Sequence, residues 1–159
     1  MSYPDVAYGK KYERGLTTTQ CAARIRADIK EALRTRELPR GLKVSVRSDY
    51  FANGSSIDVR VTALPAGWAL LNPERVRHDV LTPNVYPENL ARYTEETTAL
   101  LKVLQAIMDA YNYDGSDSQT DYFHVNFYGH AEIGHGLEHA VWEQMAAEIR
   151  ADEASRASA

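Results

Sequence analysis

The sequence predicts an α+β fold with the element order α-β-β-α-β-α, in which helices pack on one face of a small antiparallel sheet. Three segments alternate apolar and polar residues, the pattern of strands that bury one face. Three longer segments repeat apolar residues every three or four positions, as amphipathic helices do. The chain has 159 residues, of which 44% are hydrophobic and 25% charged, which is typical of one soluble globular domain.

Three parts are expected along the chain: an N-terminal arm over residues 1–16, a single domain over 17–152 and a frayed C-terminal tail over 153–159. The arm places three tyrosines among lysines and an arginine, without a clear period. Such tyrosines either stack on nucleic acid or lie over the protein core, and the sequence leaves both interpretations open. The tail is rich in Ala, Ser and Glu, and chain ends of this kind tend to fray.

The first helix should begin at Thr17, because Thr17 and Gln20 have the spacing of a capping box. Apolar residues such as Ile25 and Ile29 then recur at helical spacing. Pro39 should end the helix, since the residue before a proline disfavours helical backbone.

A β-hairpin should follow, with strands over residues 42–48 and 57–63. Its connection contains Tyr50 and Phe51, and Asn53-Gly54 suits a tight reversal because both residues tolerate positive φ. The elements expected after the hairpin are a short helix around 73–80, a long helix from near Pro87, a strand over 121–128 and a final helix over about 136–152.

The hairpin also carries a family resemblance. Ser45-Val46-Arg47-Ser48-Asp49-Tyr50 followed by Gly54-Ser55-Ser56-Ile57-Asp58-Val59 resembles the large polyvalent protein associated domain family, in its members with a VRS…GGSSI-type hairpin. Ala52-Asn53-Gly54 stands where that pattern has two glycines. The resemblance covers about residues 17–128 and implies a phage, plasmid or other mobile-element context. It implies no reaction, because the family has no settled activity.

One face of the predicted sheet combines positive charges with flat rings. Rings stack on unpaired bases, and Arg or Lys neutralises phosphates. Together with the basic row of the first helix and the hairpin loop, the expected surface for nucleic acid or another partner comprises Arg26, Lys30, Arg34, Lys43, Arg47, Tyr50, Phe51, Arg60, Tyr122, His124 and Tyr128. Two alternatives stay open: the last helix covers this face, or Arg47 and Arg60 pair with Asp58 across the strands.

Charge is distributed unevenly along the chain. Residues 1–79 hold 14 Lys or Arg against 9 Asp or Glu, and residues 80–159 hold 4 against 13. The two halves either neutralise each other on folding or meet separate partners. In the second case, the mobile-element context suggests a counter-defence protein, for example a CRISPR inhibitor. It would bind a host nucleoprotein or defence complex partly through Asp109, Asp114 and Asp117.

Four of the five histidines lie within residues 124–139, and the stretch from His135 to His139 has the H-x-x-E-H order of one class of zinc peptidase. In that chemistry the two histidines share a zinc ion, Glu138 acts as the base, and His130 or Glu132 could add a ligand. The class needs a further carboxylate well downstream, and only 20 residues follow His139. We therefore expect a non-enzymatic protein without metal or cofactor, with a zinc-dependent hydrolase as the last alternative.

Cys21 is the only cysteine, which excludes an intramolecular disulfide and is typical of a reducing compartment. The first residues lack the pattern of a signal peptide, and no run approaches the ~18 apolar residues of a membrane span. We expect a cytoplasmic protein that does not bind membranes. An exposed strand edge would allow a homodimer.

Overall fold

The computed structural model describes residues 6–115 and 125–158. It confirms the α+β class and the expected order of helices and strands, with four helices and two small sheets. None of the described helices is long and apolar enough to cross a lipid bilayer. Along the chain, the elements are β1 (Ala7–Tyr8), α1 (Thr18–Arg34), β2 (Lys43–Phe51), β3 (Gly54–Ala63), α2 (Pro73–Leu81), α3 (Glu95–Asp109), β4 (Tyr113–Asp114), β5 (Tyr128–Ile133) and α4 (His135–Ala157).

Helix α1 begins where the sequence predicts. The Thr17 hydroxyl accepts the backbone N–H of Gln20 at 3.1 Å, and the Gln20 side chain accepts the N–H of Thr17 at 2.9 Å. This capping box satisfies two backbone donors that the first helical turn would otherwise leave unpaired. The buried side of the helix carries Cys21, Ala22, Ile25, Ile29 and Ala32.

Strands β2 and β3 form the predicted antiparallel hairpin, in which Val46 pairs with Val59 and Phe51 with Gly54. The three-stranded sheet has the order β2-β3-β5, and a second sheet pairs β1 with β4. Helix α1 lies on one face of the hairpin. There the Thr18 and Ser55 hydroxyls form a buried hydrogen bond of 2.6 Å, and the inward side chains of β3 are fully buried at Ile57, Val59 and Val61.

The prediction of a long helix from Pro87 is wrong, because α3 begins two turns later, at Glu95. Turns connect residues 82–90, and the Thr94 hydroxyl accepts the N–H of Thr97 at 3.2 Å, which caps α3. Leu90 and Tyr93 continue the helical spacing of apolar residues but lie before α3, outside the helix.

The prediction of a strand over 121–128 is also wrong in its described part, since β5 runs from Tyr128 to Ile133 and shares only Tyr128 with it. The Asn112 side chain explains the shift. Its oxygen accepts the N–H groups of Asn126 and Phe127 at 3.1 and 3.3 Å, and its amide donates to the Phe127 carbonyl at 2.8 Å. These bonds occupy backbone groups that a strand would pair with its neighbour. Residues 121–124 lie outside the described residues.

Helix α2 lies at its expected position, whereas α4 takes in residues 153–157 of the expected frayed tail. Helix α2 spans Pro73–Leu81 and is capped by the Asn72 side chain, which accepts the N–H of Glu74. Helix α4 begins at His135 and continues to Ala157, past the end expected at residue 152.

The chain divides into two compact units, each built from two stretches of sequence. Unit 1 comprises Met1–Pro65 and Leu101–Glu132, and it contains α1, β1 to β4, and most of α3 and β5. Unit 2 comprises Ala66–Leu100 and Ile133–Ala159, and it contains α2 and α4. Within unit 2, Arg77 of α2 pairs with Glu153 of α4 at 2.8 Å. The expectation of one domain over 17–152 stays a prediction.

Candidate functional site

The three-stranded sheet has one face turned away from α1, which we call the outer sheet face. Side chains that alternate along each strand point to opposite faces of the sheet, which assigns the residues of β2 and β3 to a face. Two contacts show which β5 residues share the outer sheet face: the Phe51–Tyr128 ring pair and the Arg60–Glu132 ion pair. The outer sheet face consists of Lys43, Ser45, Arg47, Asp49 and Phe51 from β2, Ser56, Asp58, Arg60 and Thr62 from β3, and Tyr128, His130 and Glu132 from β5.

The charges on this face are partly neutralised. Both Nε and Nη2 of Arg60 donate to one oxygen of Glu132, at 3.0 and 2.8 Å, and this hydrogen bonding raises the pKa of Arg60. His130 Nε2 lies 3.6 Å from the other Glu132 oxygen. Arg60 therefore pairs across strands, but with Glu132 of β5 and not with Asp58 as the sequence alternative had it.

Arg47 differs from Arg60 in having no ion-pair or hydrogen-bond partner among the described residues. It lies opposite Asp58 in the β2–β3 register, yet the two side chains form no ion pair within 4.0 Å. Arg47 lines a shallow depression of about 320 Å³ together with Asp58 and Arg60. Its exposed guanidinium, like the exposed ammonium of Lys43, is available to an anionic ligand.

Two aromatic rings lie at the hairpin end of the outer sheet face. The Phe51 and Tyr128 ring centroids are 6.0 Å apart with an interplanar angle of 27°, and the residues are 46% and 45% exposed. Large apolar rings left this open are unusual outside binding surfaces when they occur in groups. The face thus combines an exposed stacked ring pair with unpaired cations.

Other residues of the predicted surface lie elsewhere. The Tyr50 hydroxyl accepts the N–H of Thr19 at 3.1 Å, so this ring lies on the α1 side of the hairpin. Arg26 donates to the Val46 carbonyl at 2.7 Å, at the edge strand β2. Because α1 covers the inner face, its basic row does not join the outer sheet face, and this corrects the grouping expected from the sequence. Three α1 residues are affected: Arg26, Lys30 and Arg34, the last of which pairs with Glu31.

Two further residues of the predicted surface, Tyr122 and His124, lie outside the described residues. Alternation along the predicted strand 121–128 would put Asn126 on the same face as Tyr128, but its side chain instead donates to the Tyr111 carbonyl at 3.4 Å.

Two of the acidic residues proposed for a protein partner, Asp109 and Asp114, line one surface depression of about 440 Å³ in unit 1. Asp109 is exposed at the end of α3 and accepts a hydrogen bond from Gln105 at 3.0 Å. Asp114 belongs to β4, where it pairs with Ala7. Asp117 lies outside the described residues.

The H-x-x-E-H stretch forms the first turns of α4. The exposed His135 and His139 rings stack with centroids 6.4 Å apart, whereas Glu138 is buried and accepts hydrogen bonds from Arg92 and Tyr93. Those bonds tie α4 to the segment before α3 and raise the pKa of Arg92. The described residues contain no group of three His, Cys, Asp or Glu side chains placed to hold a metal ion, and His130 belongs to unit 1.

Cys21 lies in the first turns of α1 and is buried, at 1% exposure. Burial raises the pKa of its thiol, and this effect outweighs the opposing influence of Arg24 and of the Asn126 side-chain amide. A thiol with a raised pKa is a poor nucleophile at neutral pH, so Cys21 acts in packing.

Sequence reasoning missed one cluster in unit 1, formed by Tyr8, Tyr12 and Tyr113, which we call the tyrosine cluster. Its rings lie 5.0 to 5.9 Å apart. The sequence offers Tyr8 and Tyr12 as candidates, but their partner Tyr113 lies about a hundred residues further along the chain. The repeated tyrosine in Tyr111-Asn112-Tyr113 was the available signal.

The chain matches no protein-family model, no curated protein and no solved structure. The hairpin resemblance to the large polyvalent protein associated domain family therefore stays a prediction.

Proposed function

We propose that this chain is a non-enzymatic protein that binds single-stranded nucleic acid through the outer sheet face. One observation carries the proposal: unpaired Arg47 and Lys43 share that face with the exposed, stacked Phe51 and Tyr128 rings. The hairpin resemblance supports a role as an accessory protein of a phage or other mobile element.

The chemistry favours unpaired bases. A base stacked on an aromatic side chain contributes about 1–3 kcal/mol, and every base offers a flat face, so such binding tolerates many sequences. Arg and Lys contribute by neutralising phosphates. In a duplex the bases stack on each other, and the Phe51 and Tyr128 rings would have no base face to contact.

The electrostatics of the face predict moderate affinity. Asp49 and Asp58 oppose the two free cations, while Arg60 and Glu132 neutralise each other. Stacking therefore supplies much of the binding free energy, and the cations Lys43 and Arg47 orient the phosphate backbone.

Fluorescence anisotropy with a labelled single-stranded oligonucleotide and its duplex at low salt tests the proposal. Phe51→Leu and Arg47→Gln should each weaken binding to the single strand about fivefold or more. Tyr86→Leu removes an 81% exposed ring from unit 2, and Lys102→Gln removes an exposed charge from α3. These matched controls should bind like the wild type. Equal affinity of all variants, or no binding to either oligonucleotide, would refute the proposal.

A second candidate is a counter-defence protein that binds a host protein complex. The observation in its favour is charge: unit 2 holds 5 Lys or Arg against 10 Asp or Glu, whereas unit 1 holds 13 against 12. A pull-down from host extract, with and without nuclease, separates the two. Nuclease-resistant capture of one defined complex, lost in Glu143→Gln with Glu148→Gln, two exposed acids of α4 in unit 2, would favour the second candidate.

A further inference from the structure

Residues 6–16, the described part of the N-terminal arm, are fixed in place by backbone contacts within unit 1. Ala7 and Tyr8 pair with Asp114 and Tyr113, and Lys11 donates its N–H to the Ala110 carbonyl at 2.8 Å. Gly9 makes this close approach possible, because a Cβ at that position would lie 2.3 Å from the Asp109 carbonyl oxygen. Tyr8 and Tyr12 are therefore held in a defined arrangement.

The tyrosine cluster is open to solvent. Tyr8 is 62% exposed; its ring is tilted by 40° to Tyr12 and by 52° to Tyr113, and Tyr12 meets Tyr113 edge-on at 88°. The three rings line a surface cavity of about 480 Å³ together with Arg14. That volume lies within the range of about 300–1,000 Å³ typical of small-molecule sites.

The cations around the cluster select the kind of ligand. Arg14 and Lys10 are exposed and have no ion-pair or hydrogen-bond partner among the described residues, whereas Lys11 is occupied by Asp28 at 2.8 Å. A tyrosine cage for a quaternary ammonium ion would be opposed by the Arg14 charge in its wall. Rings beside an unpaired guanidinium instead suit a nucleotide, whose base stacks and whose phosphate is anionic.

We infer that the tyrosine cluster is a second contact for single-stranded nucleic acid, with a base stacked on Tyr8 and a phosphate held by Arg14. This inference rests on the proposed function. Stacking on the face of the Tyr8 ring does not select a base through hydrogen bonds. We therefore expect this contact to form with any nucleotide sequence.

Photocrosslinking and anisotropy together test the inference. Oligonucleotides substituted with 5-iodouracil should crosslink to Tyr8 or Tyr12 of the full chain, as mapped by mass spectrometry. Tyr8→Leu and Arg14→Gln should each weaken binding about fivefold or more, while Tyr86→Leu and Lys102→Gln should not. A mononucleotide and an oligonucleotide are compared, because the same chemistry would recognise a free nucleotide.

The outcomes separate this inference from the proposed function. If Arg47→Gln weakens binding while Tyr8→Leu and Arg14→Gln match the controls and no arm tyrosine crosslinks, the inference is wrong and the proposed function stands. If crosslinks map to the arm and Arg47→Gln has no effect, the arm site stands and the outer sheet face is wrong. Circular dichroism and thermal melting show that each variant is folded, and Arg14, which is exposed and has no described bonding partner, provides a variant that leaves packing intact.

Discussion

Asp28 connects the arm, α1 and the end of α3 through side-chain hydrogen bonds. Its carboxylate accepts from Lys11 Nζ at 2.8 Å and from the Tyr111 hydroxyl at 2.5 Å. Burial alone would raise the pKa of Asp28, but these two hydrogen bonds outweigh it and hold the pKa below its usual value. Burial and the bond to Asp28 raise the pKa of Tyr111. The ionised carboxylate and the neutral phenol are therefore the forms that stabilise the fold.

Replacing Asp28 should make the free energy of unfolding less dependent on pH in the acidic range. Folding lowers the pKa of Asp28. Its stabilisation is therefore complete at pH values above the unfolded-state pKa of about 3.9, and it is lost as the pH falls through the folded-state pKa. We expect Asp28→Asn to reduce the free energy of unfolding by about 1 kcal/mol at pH 7, and by less at pH 3. Urea unfolding at both pH values measures this.

The matched control is Glu37→Gln, since Glu37 is an exposed acid with no bonding partner among the described residues. Its free energy of unfolding should stay within about 0.5 kcal/mol of the wild type. An equal loss for Asp28→Asn at pH 3 and pH 7 would show that the ionised carboxylate is not the stabilising species.

Residue contacts could be predicted from the sequence only where they are local. Thr17 and Gln20 cap each other across three positions, and the pattern alone predicts both bonds. Asp28 and Tyr111 are 83 positions apart, and no periodicity links them. Likewise, alternation in the hairpin predicts that Arg47 lies on the exposed face. The partner of Arg60 cannot be predicted in this way, because it depends on where β5 pairs with the hairpin.

At the scale of elements, local signals identify α1, the hairpin and α2, and they fail where a distant side chain decides the outcome. Asn112 binds the backbone at Asn126 and Phe127 and moves the third strand to Tyr128–Ile133. The start of α3 follows from the Thr94 cap, while Leu90 and Tyr93 merely happen to continue its apolar spacing. Consequently alternation puts Lys43, Arg47 and Arg60 on one face, as the structure does, whereas it does not show that Tyr50 lies on the α1 side. The third strand is misplaced.

The arm offers an element-level prediction. In Gly9→Ala the new Cβ would lie 2.3 and 2.4 Å from the carbonyl oxygens of Asp109 and Ala110. Backbone atoms at the end of a helix can move only slightly to make room. We therefore expect the free energy of unfolding to fall by about 1–3 kcal/mol and trypsin to cleave faster at Lys10, Lys11 and Arg14. Limited proteolysis with mass spectrometry measures this.

Gly136→Ala is the control for that experiment. Gly136 lies in the first turn of α4 with open space where the Cβ would be, so alanine should be neutral or stabilising by up to about 1 kcal/mol. Unchanged cleavage and stability of Gly9→Ala would mean that the arm is not held against α3.

At the scale of the whole molecule, folding redistributes the charge. The strongly acidic second half of the sequence is divided between the units, so unit 1 is almost neutral and unit 2 carries a net charge of −5. Summed charge along the sequence therefore overstates the attraction of unit 1 for nucleic acid. If the proposed function holds, binding depends on the two cations of the outer sheet face that have no partner among the described residues, Lys43 and Arg47, and the number of phosphates they bind can be measured.

The salt dependence of single-strand binding is that measurement. Each phosphate contact contributes a slope of about −0.7 to log K against log salt concentration for single strands. We predict that Arg47→Gln flattens the slope by about 0.7 and that Lys43→Gln with Arg47→Gln flattens it by about 1.4, while Lys102→Gln leaves it unchanged. Wild-type slopes in the Arg47 and Lys43 variants would contradict the account, because phosphates would then be bound elsewhere than on the outer sheet face.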